Sequence, residues 1–151
     1  MNKYMRMAIR EAEKGIVAND GGPFGAVIVK DGKVVAKGHN RVVVSHDPTA
    51  HGEIVAIRQA SKKLGTFDLS GCVLYSTAEP CPMCLWAINW ANIDKVYYGC
   101  GVDDTERIGF RDKEFYAMTK ANIEKMTLQV DREECLKLFD FYHSLEHKTN
   151  Y

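Results

Sequence analysis

The chain has 151 residues, of which 46% are hydrophobic and 26% charged, and its 20 basic residues balance 20 acidic ones. This composition is typical of one soluble globular domain, here expected to span residues 1–151. A formal net charge of zero gives no general attraction to a polyanion, so a nucleic-acid partner is not expected. No apolar run is long enough to cross a bilayer, and we expect a cytoplasmic protein without membrane contact.

Hydrophobic spacing and turn residues predict alternating strands and helices along the chain. The predicted hairpin is centred on Asp31-Gly32, where glycine is available for a positive φ. Thr49 is the predicted N-cap of the helix that follows. Because the later strands alternate with helices, the predicted fold class is α/β with a mixed sheet. In chain order the predicted elements are a helix over 4–18, a hairpin over 26–38, a helix over 50–64, a strand over 72–77, a helix over 81–91, a strand over 95–100, a short strand over 128–130 and a helix over 132–147.

Two of the five cysteines stand in the motif Cys81-Pro-Met-Cys84. In a reducing compartment such a pair is typically metal-binding or redox-active. The other three cysteines lie in apolar surroundings and are predicted to be core residues: Cys72, Cys100 and Cys135.

His51 and Glu53 stand at the start of one predicted helix, and the cysteine motif stands at the start of the next. Helix starts that follow strands lie along one edge of an α/β sheet, where ligands tend to bind. One imidazole and two thiolates are donors that zinc favours, and three protein ligands leave a fourth position open for water. The sequence therefore predicts one Zn²⁺ per subunit, held by His51, Cys81 and Cys84.

Glu53 separates a catalytic zinc site from a structural one. A structural site is closed by four ligands, and the sequence offers no obvious fourth ligand nearby. A carboxylate beside a ligand instead shuttles protons for a metal-bound water. His-x-Glu followed by Pro-Cys-x-x-Cys is the mark of zinc-dependent nucleobase deaminases. We therefore predict a zinc hydrolase in which Glu53 moves the proton.

These motifs resemble the cytidine deaminase superfamily and, within it, the small bacterial guanine deaminases. The resemblance extends over nearly the whole chain. It implies a three-layer α/β/α sandwich on a five-stranded mixed sheet, one zinc ion, and an obligate homodimer in which the C-terminal segment commonly crosses to the partner subunit. The segments that carry it are GGPFGAVIVKDG (21–32), NRVVVSHDPTAHGE (40–53), LGTFDLSG (64–71), EPCPMCLWAI (79–88) and GFRD (109–112).

The resemblance also implies a reaction, the hydrolysis of guanine to xanthine and ammonia, and roles for four residues. Asn40 would hydrogen-bond the base and Phe24 would stack on it; on spacing alone, Asn40 is as readily a turn residue and Phe24 a core residue. The residue matching Asp112 binds the purine and assists proton transfer, which implies a catalytic role for Asp112. Tyr151 either closes over the pocket or belongs to a disordered tail.

Three alternatives stay open. Gly52 stands where many relatives carry Ala and also occurs in cytosine-specific members, so cytosine or isocytosine deamination is the main alternative. Adenosine editing in tRNA would need a basic surface for phosphates, which the zero net charge and the acidic stretch DDTE (103–106) oppose. A structural zinc or nucleic-acid-binding module without catalysis would need a fourth ligand and no glutamate beside the histidine.

Two further residue types are expected to have ordinary roles. Trp86 and Trp90 are one helical turn apart, which favours a core or a dimer interface over ligand contact. Four histidines have no partner at metal-ligand spacing and are expected to be ordinary polar or surface residues: His39, His46, His143 and His147.

Overall fold

The computed structural model describes residues 2–147 and 149, which group into two compact units. The first unit ends at residue 116 and the second begins at residue 117, and the single domain over 1–151 stays a prediction. In chain order the elements are α1 (Lys3–Val17), β1 (Gly25–Lys30), β2 (Lys33–His39), α2 (Val42–Ser45), α3 (Gly52–Leu64), β3 (Cys72–Ala78), α4 (Pro82–Trp90), β4 (Lys95–Cys100), α5 (Val102–Arg107), α6 (Asp112–Tyr116), α7 (Lys120–Glu124) and α8 (Arg132–Ser144).

The first unit is built on a four-stranded sheet with the strand order β2-β1-β3-β4. β1 is antiparallel to both β2 and β3, whereas β3 and β4 run parallel, so the predicted α/β fold with a mixed sheet is confirmed. Among the described residues the sheet has four strands and not the expected five, and the strand predicted over 128–130 is wrong. Those three residues have no ladder partner, and a strand without one leaves its backbone N–H and C=O groups unpaired.

Side chains of β1 alternate between the two faces of the sheet and so divide the core into two layers. Ala26 and Ile28 pack in a cluster with residues of α3 and α4, whereas Val27 and Val29 pack with residues of α1. The sheet therefore has helices on both faces, which is the expected α/β/α arrangement.

The two helices that carry the motif residues each begin directly after a predicted metal ligand. α3 starts at Gly52 with His51 as its N-cap, so the prediction of Thr49 as N-cap is wrong. Thr49 instead donates its backbone N–H and its hydroxyl to Asp47 Oδ1, at 2.8 and 2.7 Å, in a turn before the helix. α4 has Cys81 as its N-cap and Pro82 in its first turn, where proline is tolerated.

Gly38 lets α3 approach the sheet closely enough to fix the position of its first turn. A Cβ atom at Gly38 would lie 2.4 Å from the Gly52 carbonyl oxygen and 2.6 Å from the Ala56 nitrogen. Backbone therefore packs against backbone where β2 meets the start of α3, and only glycine fits there.

Three cysteines were predicted to be core residues, and the structure confirms this for one of them. Cys72 is buried as predicted, whereas Cys100 and Cys135 are exposed, so the core prediction is wrong for those two. Cys100 ends the outermost strand of the sheet, and Cys135 lies on α8, whose residues are largely exposed.

No helix within residues 2–147 combines the length and the apolar character that crossing a membrane requires.

We predict that Gly38→Ala destabilises the fold by about 1–3 kcal/mol, because the added methyl overpacks the contact between β2 and α3. Alanine is otherwise more stabilising than glycine within a strand, so a loss of stability would show that the backbones of β2 and α3 are in close contact here. Urea unfolding followed by circular dichroism measures it. Lys37→Ala, on the exposed neighbouring position, is the control and should change stability by less than about 0.5 kcal/mol. Equal stability of Gly38→Ala and the native chain would contradict the packing.

Candidate functional site

The donor atoms of His51, Cys81 and Cys84 lie within 4.8 Å of one another. His51 Nδ1 is 3.5 Å from Cys81 Sγ and 3.6 Å from Cys84 Sγ. A tetrahedral zinc ion with sulfur about 2.3 Å and nitrogen about 2.0–2.1 Å away holds those two donor types about 3.5 Å apart. The three side chains therefore fit zinc both in donor chemistry and in spacing.

The surroundings favour the anionic form of one of the two sulfurs, that of Cys81, and a metal binds the anionic form. A hydrogen bond from the Cys84 thiol lowers the pKa of the Cys81 thiol to about 4, and the His51 imidazole acts in the same direction. The hydrogen bond to Cys81 raises the pKa of His51. The pairing with Cys81, together with burial, raises the pKa of the Cys84 thiol. The pair thus already holds one thiolate facing an imidazole.

Glu53 lies in the first turn of α3, directly behind the donors, and is 5% exposed. Its Oε1 accepts from the Ser76 hydroxyl at 3.2 Å, and its Oε2 accepts from the Cys84 thiol at 3.6 Å. Burial raises the pKa of the Glu53 carboxyl. A carboxyl with a raised pKa can hold and release a proton closer to neutral pH, as a general acid–base group must.

A cavity of about 340 Å³ opens beside the three donors and lies entirely within the first unit. Small-molecule sites usually have volumes of about 300–1,000 Å³, so this cavity suits a small ligand. It brings together the predicted residues Phe24, Asn40, His51, Glu53, Cys81 and Asp112. Its other lining residues are Gly22, Val42, Val43, Pro48, Ala78, Glu79, Phe110, Arg111 and Phe115.

One wall of the cavity is aromatic. Phe24 packs edge-to-face against Phe110, with ring centroids 4.7 Å apart and an interplanar angle of 80°. Gly22 leaves room for this pair, because a Cβ there would lie 2.8 Å from atoms of both rings. Such a wall offers apolar contact to a planar ring.

Asn40 faces the cavity with a defined orientation and is 4% exposed. Its backbone N–H donates to the Phe24 carbonyl oxygen at 2.9 Å, and its Oδ1 accepts from the Val42 N–H at 3.1 Å. The Val42 N–H engages one lone pair of Oδ1, and Nδ2 carries two further N–H donors. The amide therefore presents donors.

Asp112 begins α6 and also lines the cavity. Burial raises the pKa of this carboxyl, and the nearby Cys81 thiolate adds to the effect. The hydroxyl of Tyr116, at the end of α6, donates to the Pro80 carbonyl oxygen at 2.6 Å. This bond ties α6 to the residue just before Cys81 and so holds Asp112 near the donors.

Four lining residues were missed as individual sites by reasoning from the sequence: Glu79, Phe110, Arg111 and Phe115. Their positions in the sequence could have indicated them, because Glu79 lies in the motif EPCPMC and the other three lie in or beside GFRD. Glu79 Oε2 accepts from the Val102 N–H at 3.3 Å, and the Arg111 guanidinium lies 4.9 Å from the Phe115 ring centroid. Tyr151 lies outside the described residues.

Residues 1–100 match the family described as the cytidine and deoxycytidylate deaminase zinc-binding region. The matched range covers well over half of the 151 residues and includes the three donors and Glu53. The chain therefore belongs to the cytidine and deoxycytidylate deaminase family.

Two relatives define the similarity more closely. Guanine deaminase of Bacillus subtilis (strain 168) is 43% identical over 151 residues, which is 98% of this chain and 97% of that protein. The X-ray structure of guanine deaminase from Bacillus subtilis matches with a TM-score of 0.88 and 40% identity, over 100% of this chain and 99% of that chain. The tRNA-specific adenosine deaminase of Aquifex aeolicus (strain VF5) is 43% identical over 95 residues, 63% of this chain and 62% of that protein.

Proposed function

We propose that this chain is a zinc-dependent guanine deaminase, which converts guanine and water to xanthine and ammonia. The observation that carries the proposal is that Phe110, Arg111, Asp112 and Phe115 line the cavity beside the metal donors. These residues lie beyond the family match to 1–100, and the similarity to Bacillus guanine deaminase continues through them.

His51, Cys81 and Cys84 would hold one Zn²⁺ per subunit, a role supported by their spacing and by the lowered pKa of the Cys81 thiol. Zinc bound by three protein ligands supplies a water whose pKa falls to about 7, so that a nucleophile is available at neutral pH.

Asn40 and Phe24 would bind the base. The Asn40 amide donates to an acceptor of the ring, such as a carbonyl oxygen or a ring nitrogen. Phe24 stacks against the planar face, and its packing on Phe110 limits its movement. In this arrangement C2 of guanine, the carbon with the exocyclic amine, would face the metal donors. Tyr151 would close over the base, as the resemblance implies.

Glu53 would carry the proton through the reaction. Its carboxylate takes a proton from the attacking water and passes it to the ring nitrogen beside C2. It then assists protonation of the departing amine, which leaves as ammonia while the carbonyl of xanthine forms. The Ser76 hydrogen bond and the raised pKa of Glu53 support this role, since the group must hold its position and exchange a proton readily.

Asp112 would bind the purine and assist proton transfer. Its partial burial and its raised pKa support contact with a polar substrate atom inside the cavity. A pyrimidine such as cytosine or isocytosine uses the same zinc chemistry, but the similarity to Bacillus guanine deaminase extends through Asp112 and its neighbours, which favours a purine. A structural zinc site needs no acid–base group, so that alternative does not account for the buried Glu53 carboxyl.

We also propose a homodimer in which the C-terminal segment is exchanged between cytoplasmic subunits. Trp86 and Trp90 on α4 are 64% and 63% exposed, so they are not core residues. Large exposed aromatic side chains of this kind typically mark an interface. In the second unit, α8 also exposes Leu138, Phe139 and Phe141.

We predict that Glu53→Gln abolishes conversion of guanine to xanthine, lowering kcat by at least about a hundredfold, because the amide cannot accept the proton. Zinc content, measured by atomic emission, should stay at one ion per subunit because the three ligands are intact. The exposed variant Glu13→Gln is the matched control. Near-native turnover by Glu53→Gln would refute the role of this residue.

We predict that Asp112→Asn lowers kcat/KM for guanine by about a hundredfold while zinc content is unchanged. The amide keeps the shape of the side chain but loses its charge and its capacity to accept a proton. Glu114→Gln, an exposed change in the same helix that does not line the cavity, is the control. If both variants behave alike, Asp112 has no part in the reaction.

We predict that sedimentation velocity gives about twice the 17.0 kDa chain mass. The double variant Trp86→Glu/Trp90→Glu should sediment as a monomer, because burying two carboxylates at an interface is strongly unfavourable. Val17→Glu, a change at an exposed residue at the end of α1, should leave the dimer intact. A native chain that sediments as a monomer at micromolar concentration rules out the dimer.

A further inference from the structure

Asn40 lies in a short link before α2, a helix that its own sequence does not stabilise. α2 has four residues, and its first three are valines, which have low helix propensity. Helix nucleation is unfavourable, so a single turn of this kind does not persist alone. Its geometry depends on contacts from other parts of the first unit.

The backbone of Asp20 supplies two of those contacts. The first N–H groups of a helix have no acceptor within the helix itself. In α2 the N–H groups of Val43 and Val44 both donate to the Asp20 carbonyl oxygen at 3.1 Å. The remaining early donor, Val42 N–H, is bound by Asn40 Oδ1. Asp20 and Asn40 therefore cap the same helix start together.

The side chain of Asp20 holds the residues on either side of Asn40. Its Oδ2 accepts from His39 Nε2 at 2.7 Å and from Arg41 Nη1 at 2.9 Å. Asp20 is 8% exposed, and hydrogen bonds to a shielded carboxylate are stronger than those between neutral groups. His39 Nδ1 also lies 3.3 Å from Glu11 Oε1, which connects the cluster to α1.

The geometry points to Asp20 as a positioning residue for substrate binding that acts through Asn40. Asp20 does not line the cavity, whereas Asn40, Val42 and Val43 do. By holding both flanks of Asn40 and the start of α2, Asp20 fixes the direction of the Asn40 amide. This inference rests on the proposed function, in which that amide binds the base.

The first test is amide hydrogen exchange of the full-length protein, which needs no substrate. Asp20→Ala should speed exchange at Val43 and Val44 by about tenfold or more, because α2 loses the anchoring of its flank. Asp20→Asn should give a smaller change, since its amide oxygen can still accept from His39 and Arg41. Unchanged exchange at both valines in Asp20→Ala would overturn the inference.

The second test is a double-mutant cycle on the base that the native enzyme deaminates. Asp20→Ala should raise KM by about tenfold with little change in kcat, because uniform substrate binding is weakened. In an Asn40→Ala background the same change should raise KM by less than about twofold, because its target is gone. An equal penalty in both backgrounds would mean that Asp20 has a merely structural role. Glu13→Ala, an exposed change on α1, is the control and should leave KM unchanged.

A variant that does not fold can be distinguished from a proposed function that is wrong. If Asp20→Ala does not fold, the cycle is run with Arg41→Ala, whose side chain is 42% exposed and is dispensable for the core. Arg41→Ala should raise KM in the native background and not in Asn40→Ala. Absence of guanine turnover by the native chain would contradict the proposed function, whereas the exchange rates of α2 would still decide the role of Asp20.

Discussion

The meeting of one imidazole and two thiols is the constraint on which the rest of the site depends. His51 and Cys84 are 33 residues apart in the chain, yet their donor atoms lie 3.6 Å apart. They meet because β1 pairs antiparallel with both β2 and β3, so these two strands end at the same edge of the sheet. The helices that follow, α3 and α4, then begin side by side, each with a ligand as its N-cap. A buried thiolate needs a compensating charge, which a divalent cation would supply when bound.

The chemistry and the choice of substrate come from different parts of the fold. The donors and Glu53 stand on helix starts backed by the sheet, within the residues that match the whole family. The residues proposed to bind a base stand on connections: Phe24 before β1, Asn40 after β2, and Asp112 at the start of a five-residue helix. Such connections can change without disturbing the metal site. This division agrees with the similarity of the chain both to a guanine deaminase and, over a shorter range, to a tRNA-specific adenosine deaminase.

Much of the first unit could be predicted from the sequence because its signals are local. Alternating β-branched residues predicted the hairpin, and the motifs predicted a donor cluster because helix starts converge at a sheet edge. The prediction of a fifth strand failed because three extended residues say nothing about whether a ladder partner exists. α2 was missed because valines do not predict a helix, and two of its first N–H groups bind the carbonyl oxygen of the distant Asp20. The pair of His39 and Asp20 was missed for the same reason, since 19 residues separate two side chains that meet only in the folded chain.

The central claim is that this site deaminates guanine in preference to other aminated rings. A single competition assay tests it most directly: the zinc-loaded protein is mixed with equal amounts of guanine, cytosine, isocytosine, adenine and an RNA stem-loop that contains adenosine. Mass spectrometry then follows each substrate and product over time. The account predicts that xanthine appears first, with a kcat/KM at least about a hundredfold above that of any competitor. Preferential loss of a pyrimidine amine would keep the zinc site and contradict the assignment of the pocket, and inosine formed in the RNA would contradict it equally.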